Sequence, residues 1–189
     1  MKKYIQAYTL LEVLIVMAIV GIVSVAAVPF LNNVQLNSAL TTANNDLVAA
    51  FQYARSTSIR LQDRVVVCSS NNASSETPTC GGNVVPWNEG WVIFHDADNT
   101  GDFDGGVVDT LLSVSGKPAF SGLTIQVEAA ANISGYVSFA APAGEPMDRT
   151  GANQFGTFKI CMTNDTEHAR AVRLNISGRV ASTRDINCP

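Results

Sequence analysis

The sequence has little of what an enzyme or a nucleic-acid-coating protein needs. Histidine occurs twice, at His95 and His168, and neither belongs to a nucleophile motif such as Gly-x-Ser-x-Gly. No catalytic residue, no enzymatic activity and no cofactor are expected. Positive charge is scarce: 12 Lys+Arg stand against 16 Asp+Glu, for a net charge of −4. That excludes a chain coated in positive charge for a polyanion, although a local basic patch remains open. The four cysteines include no Cys-x-x-Cys pair, the close spacing on which zinc sites are built. There is no internal repeat and no disordered tail, so the 189 residues fit one domain with a real core.

What is present is concentrated at the start. "AYTLLEVLIVMAIVGIVSVAAVPF" (Ala7 to Phe30) is almost wholly apolar, and Leu10 to Phe30 supplies about the 20 residues a spanning helix needs. Lys2 and Lys3 precede it and place that end on the cytoplasmic side. The run is longer than the apolar core of a cleaved secretory signal. A single-pass anchor over about 10–30 is expected, with the bulk of the chain outside the cytoplasm. One carboxylate, Glu12, stands inside it. At the centre of a membrane helix such a charge costs about 2.5–3.5 kcal/mol, so its presence asks for a reason.

The helix continues past the apolar run. Leu36, Leu40, Ala43, Leu47, Phe51, Ala54 and Leu61, with Ser58 in the gap, recur mostly at three- and four-residue steps and form one stripe of an amphipathic helix. Asn37, Thr41, Asn44, Asn45, Gln52 and Arg55 fall on the other face. Gly21 and Pro29 lie in the first half, where they can bend or loosen it. Beyond 61 the pattern is β: "RVVVCS" (64–69), "GWVIFHD" (90–96), "TLLSV" (110–114), "LTIQVEA", "GYVSFA", "GTFKICMT" and "ARAVRLNIS" are short runs bounded by turn residues. With no helix between them they predict antiparallel sheets, whose apolar face packs on the amphipathic half of the helix. The expected fold class is therefore α+β.

The opening segment resembles the N-terminus of type IV prepilins and type II secretion pseudopilins: a short basic leader, a small residue, an aromatic residue, then Thr-Leu-Leu-Glu and an apolar helix. Pro29 falls where pilins commonly carry a helix-loosening proline. Two positions depart from the pattern, Ala7 where glycine is usual and Tyr8 where phenylalanine is usual; both keep the size and character. The resemblance implies a leader at 1–7, an N-terminal helix over 8–61, and a β-rich globular part over 62–189. It implies that a prepilin peptidase cuts between Ala7 and Tyr8, that the new amine on Tyr8 is methylated, and that Glu12 meets the N-terminal amine of a neighbouring subunit during assembly. A buried carboxylate is tolerable when paired with a cation.

The remainder is similar to the FimU/FimT/GspH group, nearest to FimU. The group has Cys–loop–Cys, then Trp-x-x-Gly-Trp, a strand and an Asp/Asn/Gly turn; here these are Cys68 and Cys80, then Trp87, Gly90 and Trp91, and "DADNTGDFDGG". "LNISGRV" near the C-terminus matches the group's Ser-Gly-Arg segment. A minor pilin in a tip or priming complex is implied, with other minor pilins, the major pilin, the prepilin peptidase, the inner membrane and a tip adhesin as partners. The alternatives are a GspH-type pseudopilin of type II secretion and a FimT-like DNA receptor.

Four cysteines fit an oxidising compartment. Three pairings are open; the one expected joins Cys68 to Cys80 across the polar loop and Cys161 to Cys188 at the C-terminal tail. No metal is expected. Asp96, Asp98, Asp102 and Asp104 could supply hard oxygens to calcium around a turn at Gly101, but Thr100 occupies a usual ligand position and no glutamate closes the loop. A polar turn, with Asp and Asn bonding their own backbone, is the plainer reading. For DNA, the FimT-like group implies a Gly-Arg-x-Arg element; Gly178 and Arg179 match, but Ala181 stands where the second arginine belongs. Arg170, Arg173, Arg179 and Arg184 are nonetheless four of the ten basic residues left after Lys2 and Lys3 are removed from the twelve. Such a patch is enough for phosphate contacts.

Overall fold

The predicted helix forms where the apolar run and the stripe place it. In a computed structural model of the protein, residues 8–118, 120–133, 135–163, 165–184 and 188 are described, with the side chains of 25–32, 129–131 and 165–168 outside the description. Helix α1 (Leu10–Leu61) spans 52 residues without a break at Gly21 or Pro29. Contacts divide the chain into two units, Met1–Ser38 and Ala39–Pro189. In the first, every large apolar side chain from Leu10 to Val23 is exposed, from 48% at Val13 to 78% at Leu10. Among the described residues no helix is long and apolar enough to cross a membrane. The expected span of about 10–30 takes in side chains at 25–30 that lie outside the description.

In the second unit the stripe is buried, through Leu40, Ala43, Leu47, Ala50, Phe51 and Ala54. Its lower end differs from the expectation, since burial continues to Ser58 but Leu61, the last residue of the helix, is exposed. Asn44, expected on the polar face, is also buried. Ser182 Oγ donates to its Oδ1 at 3.0 Å, which satisfies the acceptor.

Two antiparallel sheets complete the unit. Sheet A has the order β3-β2-β1-β5-β6 and sheet B the order β4-β7-β8-β9. The strands are β1 (Val65–Ser69), β2 (Trp91–His95), β3 (Thr110–Ser115), β4 (Leu123–Ala131), β5 (Tyr136–Ala140), β6 (Glu145–Pro146), β7 (Phe155–Met162), β8 (Asp165–Leu174) and β9 (Val180–Thr183). The sequence missed β6 and β9, which are short and lack an apolar run. It also started β8 at Ala169, whereas pairing with β7 continues to Met162↔Asp165. Here neighbouring backbone overrides weak local propensity.

Phe51 is where helix and both sheets meet. Its ring lies 6.3 Å from that of Phe139 on β5, 5.0 Å from Phe158 on β7 and 6.0 Å from Trp87. Trp87 in turn meets Phe158 edge-on at 5.1 Å. The Trp-x-x-Gly-Trp segment therefore packs the core, with Trp87 and Trp91 both buried. The opposite face of sheet A carries a second cluster, Val66, Cys68, Ala73, Val92, Phe94, Phe103 and Tyr136. Cys68–Cys80 staples the polar loop over it, and Cys161–Cys188 ties the tail to β7, which is the expected pairing. Gln154, fully buried, acts as a piece of backbone: its Nε2 donates to the carbonyls of Asn132 and Tyr136, and its Oε1 accepts from Ser138 N–H.

Candidate assembly site

Thr9, Leu10, Leu11 and Glu12 open the helix as a cap. The Glu12 N–H donates to Thr9 Oγ1 at 3.3 Å and to the Thr9 carbonyl at 3.1 Å, and Val13 N–H reaches the same carbonyl. A threonine followed three residues later by glutamate is the sequence form of a capping box, of which the threonine half is made here. Glu12 thus lies in the first turn of α1, where the unpaired N–H groups favour a negative charge. Its carboxylate is exposed and has no ion-pair partner among the described residues. Such a group is available to a cation on another chain. Tyr8 is 81% exposed; Ala7 and the leader at 1–7 lie outside the described residues.

The four arginines do not form one patch. Arg170 pairs in register with Ile160, on the face of sheet B that carries Val172 and Phe158, and its Nη1 donates to the Ala169 carbonyl. Arg173 pairs with Thr157 and Ala181 and points from the opposite face, since side chains alternate along a strand. Arg179 and Arg184 stand at opposite ends of β9, both exposed. The Gly178 that precedes Arg179 has a packing role. With φ +72°, it turns the chain so closely that a Cβ there would lie 2.4 Å from the Gly144 carbonyl and 3.0 Å from Arg55 Nε. Arg55 Nη1 donates to the Gly178 carbonyl at 3.1 Å.

The acidic loop is also rearranged relative to the sequence expectation. Asp96 and Asp98 come together with Asp109, one carboxylate oxygen of each lying within 4.8 Å of the others. Asp102 is instead drawn 3.9 Å from Arg149. Asp104 accepts the N–H groups of Gly106, Val107, Val108 and Asp109. Asp96, only 1% exposed, is filled by Thr100 and Gly101 N–H, Asp98 by the Thr100 N–H and hydroxyl, and Asp109 by Ala97 and Asp104 N–H. Burial, helped by the charge of Asp109, pushes Asp96 up to about 6. Burial raises Asp109 as well, whereas the Thr100 hydroxyl holds Asp98 low. These bonds are those of the polar-turn reading. Of the two histidines, His95 bonds Asp63 at 2.8 Å, close to where the helix ends, and the His168 side chain lies outside the described residues.

The geometry is that of a capped apolar helix joined to a disulfide-bonded α+β unit, and the comparisons agree with it. The family described as Type II transport protein GspH matches residues 43–178. The chain belongs to the GspH family. A Prokaryotic N-terminal methylation motif matches residues 2–28. Two crystal structures of the type IV minor pilin FimU of Pseudomonas aeruginosa share the fold. They match with TM-scores of 0.56 and 0.53, each at 18% identity over 79% of this chain and over 95% and 100% of theirs. No curated protein matches. This GspH-family protein is thus a minor pilin or pseudopilin of the type IV/type II class, with the family and fold of structural pilins. That family is held in the membrane by its N-terminal segment before assembly.

Sequence reasoning missed three features of the GspH-family protein. Thr9 opens a T-x-x-E pattern, the signal of the helix cap that its hydroxyl makes with the Glu12 N–H. Asp109 lies outside the compact "DADNTGDFD" run and reaches Asp96 through the fold. Arg55 read as a solvated helix residue, yet it clamps the Ser177–Arg179 turn.

Proposed function

We propose that this protein is a minor pilin of a type IV pilus, joining other minor pilins in a complex at the filament tip that primes assembly. The observation that carries the reading is the first unit: a helix with exposed apolar side chains from Leu10 to Val23 and one carboxylate, Glu12, in its first turn. A helix apolar all round is stable only where lipid or other helices cover it. In the reading proposed, the peptidase cuts between Ala7 and Tyr8, the Tyr8 amine is methylated, and the helix waits in the inner membrane with the globular unit in the periplasm. On assembly Glu12 pairs with the N-terminal amine of a neighbour, and the helix moves from lipid to filament. The major pilin and a tip adhesin are the further partners. The role is structural and not enzymatic.

A Glu12→Ala change tests it. Removing the charge makes insertion as good or better, so membrane abundance should hold while surface piliation, twitching and recovery of partner pilins fall. Wild-type values for all three would sink the pairing role. Mass spectrometry of assembled filaments should find a methylated Tyr8 as the first residue; an intact Met1 would overturn the processing step.

The matched family description favours a second reading, a GspH-type pseudopilin of type II secretion. Deleting the protein and measuring exoprotein secretion beside piliation separates the two. DNA binding is the third reading carried by Arg170, Arg173, Arg179 and Arg184. Their distribution over two faces of sheet B leaves Arg173 and Arg179 as the pair to substitute first.

A further inference from the structure

We propose that the groove between the second half of α1 and the β8–β9 turn binds one small oxyanion, a carboxylate or a phosphate, between Arg55 and Arg179. The groove holds about 350 Å³. Gln52, Arg55, Ser56 and Ile59 line it from the helix, and Gly178, Arg179 and Val180 from the turn and the start of β9. Two guanidinium groups thus share one groove, in a chain where acidic residues outnumber basic ones by 16 to 12. Among the described residues no carboxylate lines the groove and neither arginine has an ion-pair partner. Gly144 packs against Arg55, yet its acidic neighbour Glu145 pairs with neither arginine. Asp165 and Glu167 stand at the start of β8, the end of that strand away from the turn.

Arg55 is the residue that asks for an anion. It is half-buried, so its charge has lost part of its water. The fold returns one acceptor, the Gly178 carbonyl, to which Nη1 donates at 3.1 Å. Its Nε–H is buried and meets no acceptor. Buried donors are nearly always bonded, and a desolvated cation is costly unless it is paired. A planar guanidinium is also the side chain best shaped to hold an oxyanion by two parallel bonds. Arg179 is exposed and supplies the second charge from the turn side of the groove. Its backbone is fixed there: Arg179 N–H donates to Asn175 Oδ1 at 3.0 Å, and Gly178 N–H to the Asn175 carbonyl at 2.9 Å. Gln52 is exposed and offers an amide donor beside them.

The geometry favours a single ion over the backbone of a polyanion. A nucleic acid is held by a row of phosphate contacts. Here Arg170 and Arg173 lie on the two faces of sheet B and Arg184 at the far end of β9, so no row leads out of the groove. The apolar walls at Ile59 and Val180 leave room for one charged head between the arginines. The bound ion ties the β8–β9 turn to α1 beside the Arg55–Gly178 bond, and it stabilises the fold in proportion to its occupancy.

The test uses the full-length protein in an uncharged detergent. Thermal unfolding is followed in chloride, in inorganic phosphate and in citrate, at one pH and one ionic strength. Phosphate or citrate should raise the midpoint by about 2–4 °C over chloride. Arg179→Gln, at an exposed side chain, should keep the chloride midpoint and lose the rise. Arg55→Lys keeps the charge without the planar fork and should lose most of it too. Stabilisation by ions excluded from the surface acts on all three proteins alike, so the difference between them is the readout. The larger of the two wild-type shifts names the anion class. No rise in the wild-type protein overturns the inference, and so does an equal rise in Arg179→Gln, which puts the anion elsewhere. Retention of duplex DNA at physiological salt that needs both Arg55 and Arg179 overturns it in favour of a polyanion. None of these results touches the pilin reading, which rests on α1 from Leu10 to Val23.

Discussion

The two halves of α1 share a backbone and differ in what covers them. From Leu10 to Val23 large apolar side chains are exposed, whereas from Leu40 to Ala54 one apolar stripe is buried and most of the remaining positions are polar or small. The difference is one of periodicity: an apolar residue at almost every position needs a surrounding medium, while one at every third or fourth needs a single packed neighbour. The first half depends on its environment for stability, and the second carries its environment with it in the two sheets. Changes in the second half should therefore lower folding stability, and changes in the first should alter assembly while the globular unit stays folded.

The largest break in that contrast is Phe51→Ala. It removes the ring that touches Trp87, Phe139 and Phe158, and about 3–5 kcal/mol of stability should go with it. Chemical denaturation followed by tryptophan fluorescence reads this directly through Trp87. The equivalent change in the first half, Glu12→Ala, should leave the same midpoint unmoved.

Next come the disulfides, both in the second unit. Cys68–Cys80 closes a separation of 12 residues and Cys161–Cys188 one of 27. On the chain-entropy relation each stabilises by about 3–4 kcal/mol. A reductant should lower the melting temperature, and Cys80→Ser should reproduce its share of the loss. Wild-type melting under full reduction would show that the staples are redundant.

A smaller effect is expected at Gly178. Gly178→Ala forces a side chain into φ +72° and against the Gly144 carbonyl. A loss of about 1–3 kcal/mol should follow, with the Arg55 clamp disturbed. If the Ser-Gly-Arg segment mattered for phosphate contact alone, stability would be unchanged and only DNA retention at low salt would respond.

The smallest signal is in pH. Asp96, pushed up to about 6 by burial and by Asp109, favours its protonated form in the fold. Its contribution is present below the unfolded value near 3.8 and is lost as the pH rises to about 6. Asp63, Asp98, Asp104 and Asp148 are held low and act oppositely, their contribution present above 3.8 and lost as the pH falls. The two trends offset, so the sharper readout is the Asp96 carboxyl resonance by NMR. In Asp109→Asn its titration should move down, and an unmoved titration would refute the coupling between the two carboxylates.

Elements that repeat locally could be read from the chain alone. The run from Leu10, the stripe from Leu36 except for its end at Leu61, and seven of the nine strands among the described residues were legible because periodicity and turn residues are properties of the chain. Tertiary structure alone decided which residues meet. It closed β6 and β9 by pairing where propensity is weak, and it divided the strands between two sheets around Phe51. It brought Asp109 to Asp96 in place of Asp102 and Asp104. It also put Arg170 and Arg173 on opposite faces, and it left β3 uncovered at an edge. Register across a sheet and closure of a loop depend on partners distant in sequence, and no local pattern encodes them.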